Sequence, residues 1–240
     1  MRRFTADATR DLTIENLGDY VHGVLVALAV RADLAGLSSP WQDLLARCDA
    51  HDARKRAARR GLNGARVAYA FHHAEFANTV KKLSSQTYHL AGKDVRAEPY
   101  VSFFGAVKVA EIQRFGLLKA TAYGRSTVEL EAPVLSALTS ESAKDLVRSL
   151  LAELHTATAA LEEAGRVRED AASELTGLDI GRRLLVRQTL DLVAQTEVGI
   201  LTRYQGRRDL VDAILALTNT PPRSGLDPTG SKRPTRAPES

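Results

Sequence analysis

The stretch VRSLLAELHTATAALEEAGRVREDAASELTGL, residues 147–178, decides the fold of this 240-residue chain. Its apolar and small residues are separated alternately by three and four positions over four heptads, which is the seam spacing of a coiled coil. Leu dominates one of the two seam positions and Ala the other. Because small side chains let a partner helix approach closely, the pattern predicts an antiparallel helical hairpin. The seam positions are Val147, Leu150, Leu154, Ala157, Leu161, Ala164, Arg168, Ala171, Leu175 and Leu178.

The segment after this seam is its predicted partner. Gly177 and Gly181 interrupt the pattern, and Asp179 can cap a new helix. Apolar residues then recur at helical spacing as far as Leu215. We therefore predict a long helical hairpin over residues 134–218.

The residues before the hairpin also predict helices. A first helix is expected over about 13–35. Ser39 and Gln42 then form a capping box around Pro40, which starts a second helix over about 40–60. Residues 1–133 are predicted to form an N-terminal helical domain.

Two glycines, Gly61 and Gly64, predict a turn after the second helix, since each costs about 1 kcal/mol inside a helix. A third helix is expected over about 65–90. Its predicted apolar side carries Val67, Ala70, Phe71, Ala74, Ala77 and Leu83.

Residues 91–133 mix helical and strand periodicities. We predict a helix over about 100–121. The alternative is a β-hairpin through ATAYGRSTVELEAP, residues 120–133, where apolar and polar residues alternate. At the other end, residues 219–240 hold five of the eight prolines and almost no apolar side chain, so they are predicted to be a disordered tail.

The composition agrees with an all-α, helical-bundle protein. Ala and Leu supply 36 and 32 residues, whereas aromatic residues reach only 5%. The single cysteine, Cys48, excludes an intramolecular disulfide and any zinc or iron-sulfur site built from cysteines. We expect this thiol to pack in the core.

The sequence predicts a cytoplasmic protein without a membrane span. Its longest apolar run, residues 23–30, is far shorter than the roughly 20 residues that cross a bilayer. Acidic residues precede that run, where a secretory signal would carry positive charge. The net charge of +4 permits contact with nucleic acid without requiring it.

One basic segment, within HDARKRAARRGLNGAR at residues 51–66, is the strongest functional signal. Its cations are not interrupted by an acidic residue and create a local positive potential that can hold phosphates or another anionic partner. The alternative is that they form only a solvated helix end and turn. The candidate contact residues are Arg54, Lys55, Arg56, Arg59, Arg60 and Arg66.

An acidic counterpart lies between Glu141 and Glu174, a segment that contains eight acidic residues and four basic ones. Opposite patches on one protein can pair head to tail, so this segment suggests self-assembly as an alternative to the binding of nucleic acid.

Catalytic and metal-binding patterns are missing from the sequence. It has no phosphate loop, no Gly-x-Ser-x-Gly and no His-Glu-x-x-His. Asp19 with His22, and His72 and His73 near Glu75, fall short of the paired Glu-x-x-His motifs of a di-iron bundle, so these histidines are expected to make ordinary hydrogen bonds. We predict no enzymatic activity, cofactor, metal site or small-molecule substrate.

These observations favour a structural or scaffolding protein that acts through protein contacts, most simply as a homo-oligomer. The hairpin carries apolar residues beside its seam, such as Val186, Val198 and Leu201, which one two-helix interface would not bury. The alternative is a nucleic-acid-associated protein that uses the basic segment together with Arg223, Lys232, Arg233 and Arg236.

Overall fold

The computed structural model describes residues 17–215, and every regular element in that range is helical. The all-α prediction is therefore confirmed. The predicted tail, residues 219–240, lies outside the described residues. The helices are α1 (Leu17–Ala29), α2 (Ser39–Leu90), α3 (Tyr100–Phe104), α4 (Val109–Ile112), α5 (Leu117–Glu129), α6 (Glu131–Ala137), α7 (Glu141–Arg203) and α8 (Arg208–Leu215), with a 3₁₀ helix at Ala32–Leu37.

Two long helices dominate this range, α2 with 52 residues and α7 with 63. Both contribute to two compact units. Among the described residues, 17–51 and 181–215 form the first unit, and 52–180 form the second. None of the described helices contains a stretch long and apolar enough to cross a membrane.

The first unit packs α1, the 3₁₀ helix and α8 around the adjoining parts of α2 and α7. The buried indole Nε1 of Trp41 donates to Thr196 Oγ1 at 2.9 Å, and Arg47 Nη1 donates to Gln188 Oε1 at 3.0 Å. Since the residue numbers rise on α2 as they fall on α7, the two helices are antiparallel here. The fully buried side chains of this core include Val21, Leu28, Leu34, Leu44 and Ile200.

The second unit packs α3 to α6 against its parts of α2 and α7. Lys82 Nζ lies 2.7 Å from Glu153 Oε2, and the Arg168 guanidinium lies 4.2 Å from the centre of the Tyr69 ring, so α2 and α7 are antiparallel here as well. The fully buried side chains of this core include Phe76, Val80, Leu83, Ile112, Val147, Leu154 and Leu161.

The predicted turn at residues 177–181 is wrong, because α7 is continuous through it. The seam spacing passes the glycines in phase, from Leu178 to the buried residues Arg182, Leu185 and Thr189. Each helical glycine costs about 1 kcal/mol, whereas burial of a side chain such as Leu185 contributes roughly 1.5–3 kcal/mol. The partner of the seam is therefore α2, and the compact units divide the chain differently from the predicted ranges 1–133 and 134–218.

The predicted turn at Gly61 and Gly64 is also wrong, because α2 is continuous there. Ala58, Leu62 and Ala65 are buried at spacings of four and three, and both glycines lie on the exposed side of the helix. The buried stripe of α2 therefore continues past both glycines. Its burial outweighs the intrinsic cost of the glycines.

The single helix predicted over 100–121 is wrong, since α3, α4 and the start of α5 occupy this region. The alternative hairpin does not form either, because the described residues contain no strand. The buried residues Ala120, Gly124 and Thr127 are spaced by four and three, and this helical period determines α5.

Candidate interaction surface

All six residues of the basic segment lie on α2, within the second unit. Lys55 differs from the others because its ammonium group forms an ion pair with Asp179 on α7 and its side chain is partly buried. This lysine therefore connects the two long helices. Its charge is largely used inside the fold and contributes little to an external surface.

The five arginines of the segment are exposed. None of them forms an ion pair with another residue in the described range 17–215. Arg56 Nε donates to the backbone oxygen of Asp52 at 3.3 Å, which leaves the Nη groups of this guanidinium without a carboxylate partner in that range. The surface can therefore accept an anion without first breaking an ion pair.

Three of these arginines converge on one groove. An open groove of about 460 Å³ is lined by Ala53, Arg56, Arg59 and Arg60. At 3.6 residues per turn, however, Arg54 lies on a different side of α2 from Arg59 and Arg66. The structure thus brings together three of the six predicted contact residues, Arg56, Arg59 and Arg60, at one groove. The other three do not line it.

A second pattern occupies the side of α2 that faces away from the buried stripe. Eight exposed residues, which we call the outer stripe, follow one another at spacings that alternate between four and three. Val67 and Phe71 keep 71% and 58% of their surface exposed, so the predicted apolar side of the helix over 65–90 is wrong for these two residues, although Leu83 is buried. The outer stripe consists of Ala53, Ala57, Arg60, Gly64, Val67, Phe71, Ala74 and Asn78.

Along the middle of the outer stripe, its edges carry small residues, apart from Asn63. A Cβ atom added to Gly61 or Gly64 would find no neighbouring atom within 4 Å. Beside the stripe lie Asn63, Ala68, Ala70 and Ala77, and the first three of these are exposed. A second helix could therefore approach this face of α2 closely, because no long side chain stands along the middle of either edge.

The acidic segment, by contrast, is largely paired within the second unit. Six of its eight carboxylates form ion pairs with a lysine or arginine of that unit. The hydrogen bond from Lys144 lowers the pKa of Glu141, as that from Arg166 lowers the pKa of Glu163. These carboxylates are less suited to head-to-tail assembly than the sequence suggested. The pairs are Glu141–Lys144, Asp145–Arg148, Glu153–Lys82, Glu162–Arg125, Glu163–Arg166 and Asp170–Arg166.

The histidines near the outer stripe make local hydrogen bonds. His72 Nδ1 lies 3.0 Å from Glu75 Oε2, and His73 Nε2 donates to the backbone oxygen of Phe115 at 2.7 Å. Across residues 17–215, no cluster of three or more His, Cys, Asp or Glu side chains is arranged to hold a metal ion.

Sequence reasoning missed one buried cation, Arg182 on α7. This residue is only 9% exposed, and its Nε has no hydrogen-bond partner among the described residues. The signal was present, since Arg182 follows Leu178 by four positions and so continues the seam. Further along α7, Val186 and Leu201 pack against the first core, while Val198 stays 63% exposed.

No protein-family model, curated protein or solved structure matches the chain.

Proposed function

We propose that this protein is a structural or scaffolding component that acts through protein contacts and assembles with copies of itself. The main observation that supports this proposal is the outer stripe of α2. A helix with one buried stripe and a second stripe on its opposite face is suited to lie between two neighbours, and the residues of the second unit cover only one of those faces.

The energetics are compatible with assembly. Complete burial of an exposed Val or Phe side chain contributes at most about 1.5–3 kcal/mol. Val67 and Phe71 are already partly buried, so these residues from two copies would supply at most roughly 6–12 kcal/mol, against an association cost of about 4–15 kcal/mol. The two terms are similar in size, so stable assembly also needs the close packing that the small residues of the stripe permit.

Light scattering coupled to size-exclusion chromatography at micromolar concentration tests the proposal. We expect a particle mass of at least twice the 26.1 kDa of one chain. The variant Val67→Glu/Phe71→Glu should shift this mass to that of the monomer, because it places charge in the interface. The matched control is Leu118→Glu, since Leu118 is 83% exposed but lies on α5. A sharp monomer for the unmodified chain would refute self-assembly.

The second candidate function is association with nucleic acid. Its support is the groove lined by Arg56, Arg59 and Arg60, which have no ion-paired carboxylate in the described range. If each guanidinium neutralises one phosphate, the slope of log affinity against log salt should flatten by roughly 2–3 in the variant that replaces all three with Ala.

Binding of a labelled single strand and a labelled duplex, followed over a salt series, measures that slope. A control variant removes the same charge from exposed residues elsewhere in the second unit, by Arg96→Ala, Lys108→Ala and Lys119→Ala. The mass of the purified particle with and without nuclease separates carried nucleic acid from self-assembly. Equal slopes for the two triple variants would eliminate the groove as the binding site.

The proposal also places the protein in the cytoplasm and assigns it no reaction, cofactor or metal. The sequence contains one cysteine, Cys48, so no intramolecular disulfide can form, which supports a reducing compartment.

A further inference from the structure

We propose that two copies of this chain pair through their outer stripes with the two α2 helices antiparallel and centred between Gly64 and Val67. This inference rests on the proposed self-assembly and specifies its interface. The packing of the stripe, its charge and its edges each support the same arrangement.

In this arrangement large residues of one stripe fit against small residues of the other. With the centre between residues 64 and 67, Val67 of one copy lies opposite Gly64 of the other, where the space beside the glycine is open. The same arrangement sets Ala57 opposite Ala74. Because the pairing is two-fold symmetric, each of these contacts occurs twice.

The charge of Arg60 determines the relative direction of the two helices. A parallel pair in register would place Arg60 directly opposite Arg60 of the second copy, and these like charges repel each other. The antiparallel pair places the Arg60 guanidinium against the ring of Phe71 instead, which is a favourable cation–π arrangement. Arg60, the charged residue of the stripe, therefore favours the antiparallel orientation.

The edges of the stripe are also complementary in this arrangement. Along one edge, Arg54, Gly61, Ala68 and Glu75 follow one another at intervals of seven residues. In a two-fold antiparallel pair the same edges meet in reverse order, so Arg54 lies opposite Glu75 of the second copy, and Gly61 lies opposite Ala68. The Arg54 guanidinium has no ion-pair partner among the described residues. The Glu75 carboxylate is about half exposed, and because only its Oε2 contacts His72 Nδ1, at 3.0 Å, its other oxygen can accept from Arg54. Two symmetric ion pairs can thus form at the ends of the interface.

Cysteine cross-linking tests the orientation and the register. Two single variants, Ala57→Cys and Ala74→Cys, are prepared, one of them with a mass tag. They are mixed under reducing conditions and then oxidised. We expect disulfide-linked heterodimers from the mixture and no rapid cross-linking of either variant alone. The unmodified chain serves as the control for Cys48, which is buried.

The outcomes separate this proposal from the one it rests on. If Ala57→Cys links rapidly to itself, the two copies pair in another orientation or register, and the proposal is overturned. If neither variant nor their mixture links while light scattering still gives an oligomer, self-assembly stands but uses another surface. If the unmodified chain is a monomer, both proposals fail.

Charge reversal provides a second test that does not depend on disulfide geometry. Arg54→Glu and Glu75→Arg should each weaken dimerisation by roughly 2- to 30-fold, as expected for two exposed ion pairs. The double variant restores the pairs in reversed sense and should recover the original dissociation constant in sedimentation equilibrium. If the double variant loses as much free energy of dimerisation as the two single variants together, the proposed contact is contradicted.

Discussion

Replacement of Arg182 by Met is predicted to stabilise the fold. Arg182 occupies a seam position of α7, is only 9% exposed, and has an Nε without a hydrogen-bond partner among the described residues. A buried polar group left without a partner costs about 1–3 kcal/mol. Methionine is unbranched and flexible, so it can fill the space of the aliphatic part of the arginine while removing that cost.

We therefore expect Arg182→Met to raise the free energy of unfolding by about 1–3 kcal/mol. For a chain of this size each kcal/mol moves the midpoint temperature by about 2–4 °C, so the midpoint should rise by roughly 2–12 °C. Thermal and urea unfolding followed by circular dichroism at the helix band measure both quantities.

The neighbouring residue offers a matched control. Arg183→Met makes the same chemical change at an exposed position of the same helix, where substitutions alter stability by about 0.5 kcal/mol or less. If Arg182→Met instead lowers stability by more than 1 kcal/mol relative to this control, the guanidinium contributes favourably to the native state and the reasoning is refuted.

Three further changes test the packing of the long helices by the same unfolding measurement. Gly124→Ala should destabilise the second unit by about 1–3 kcal/mol, because the new Cβ would lie 2.1 Å from Thr158 Oγ1; wild-type stability would show that α5 and α7 are not in such close contact. Gly61→Ala should stabilise α2 by about 0.5–1 kcal/mol, since its Cβ meets nothing within 4 Å, and a loss of stability would argue for a turn there. Trp41→Phe should cost about 1–3 kcal/mol, because it leaves the buried Thr196 hydroxyl without its indole donor, and an unchanged midpoint would contradict that hydrogen bond.

The helical character of the chain was predictable. The residues of α7 that pack against α2 in the second unit were largely predictable as well. The spacing from Val147 to Leu178 correctly identified a seam on α7, since Val147, Leu150, Leu154, Leu161 and Ala164 are buried. The choice of partner was wrong because glycines were read as stops. A glycine inside a helix costs only about 1 kcal/mol, and a seam that keeps its phase on both sides of the glycine can offset that cost.

The candidate surface was predicted only in part. The run of cations from Arg54 to Arg66 was visible in the sequence, but the use of Lys55 in an ion pair with α7 depends on residues far away in the chain. The outer stripe was not predicted, because Val67 and Phe71 were assigned to the apolar side of the third helix. Exposure could not be deduced from their spacing, because the opposite face of the same helix has equally regular spacing.

By itself, the sequence determined that this chain is helical and that apolar residues line its long segments at seam spacing. These are properties of the local chain, since helix propensity and the 3.6-residue period act over a few neighbouring residues. Only the tertiary structure decided that α2 and α7 pair along their length in each unit, that Arg182 is buried, and that the stripe through Val67 and Phe71 faces outward. Burial depends on which distant residues cover a face, and when a helix such as α2 has regular stripes on two sides, packing selects the one that enters the core.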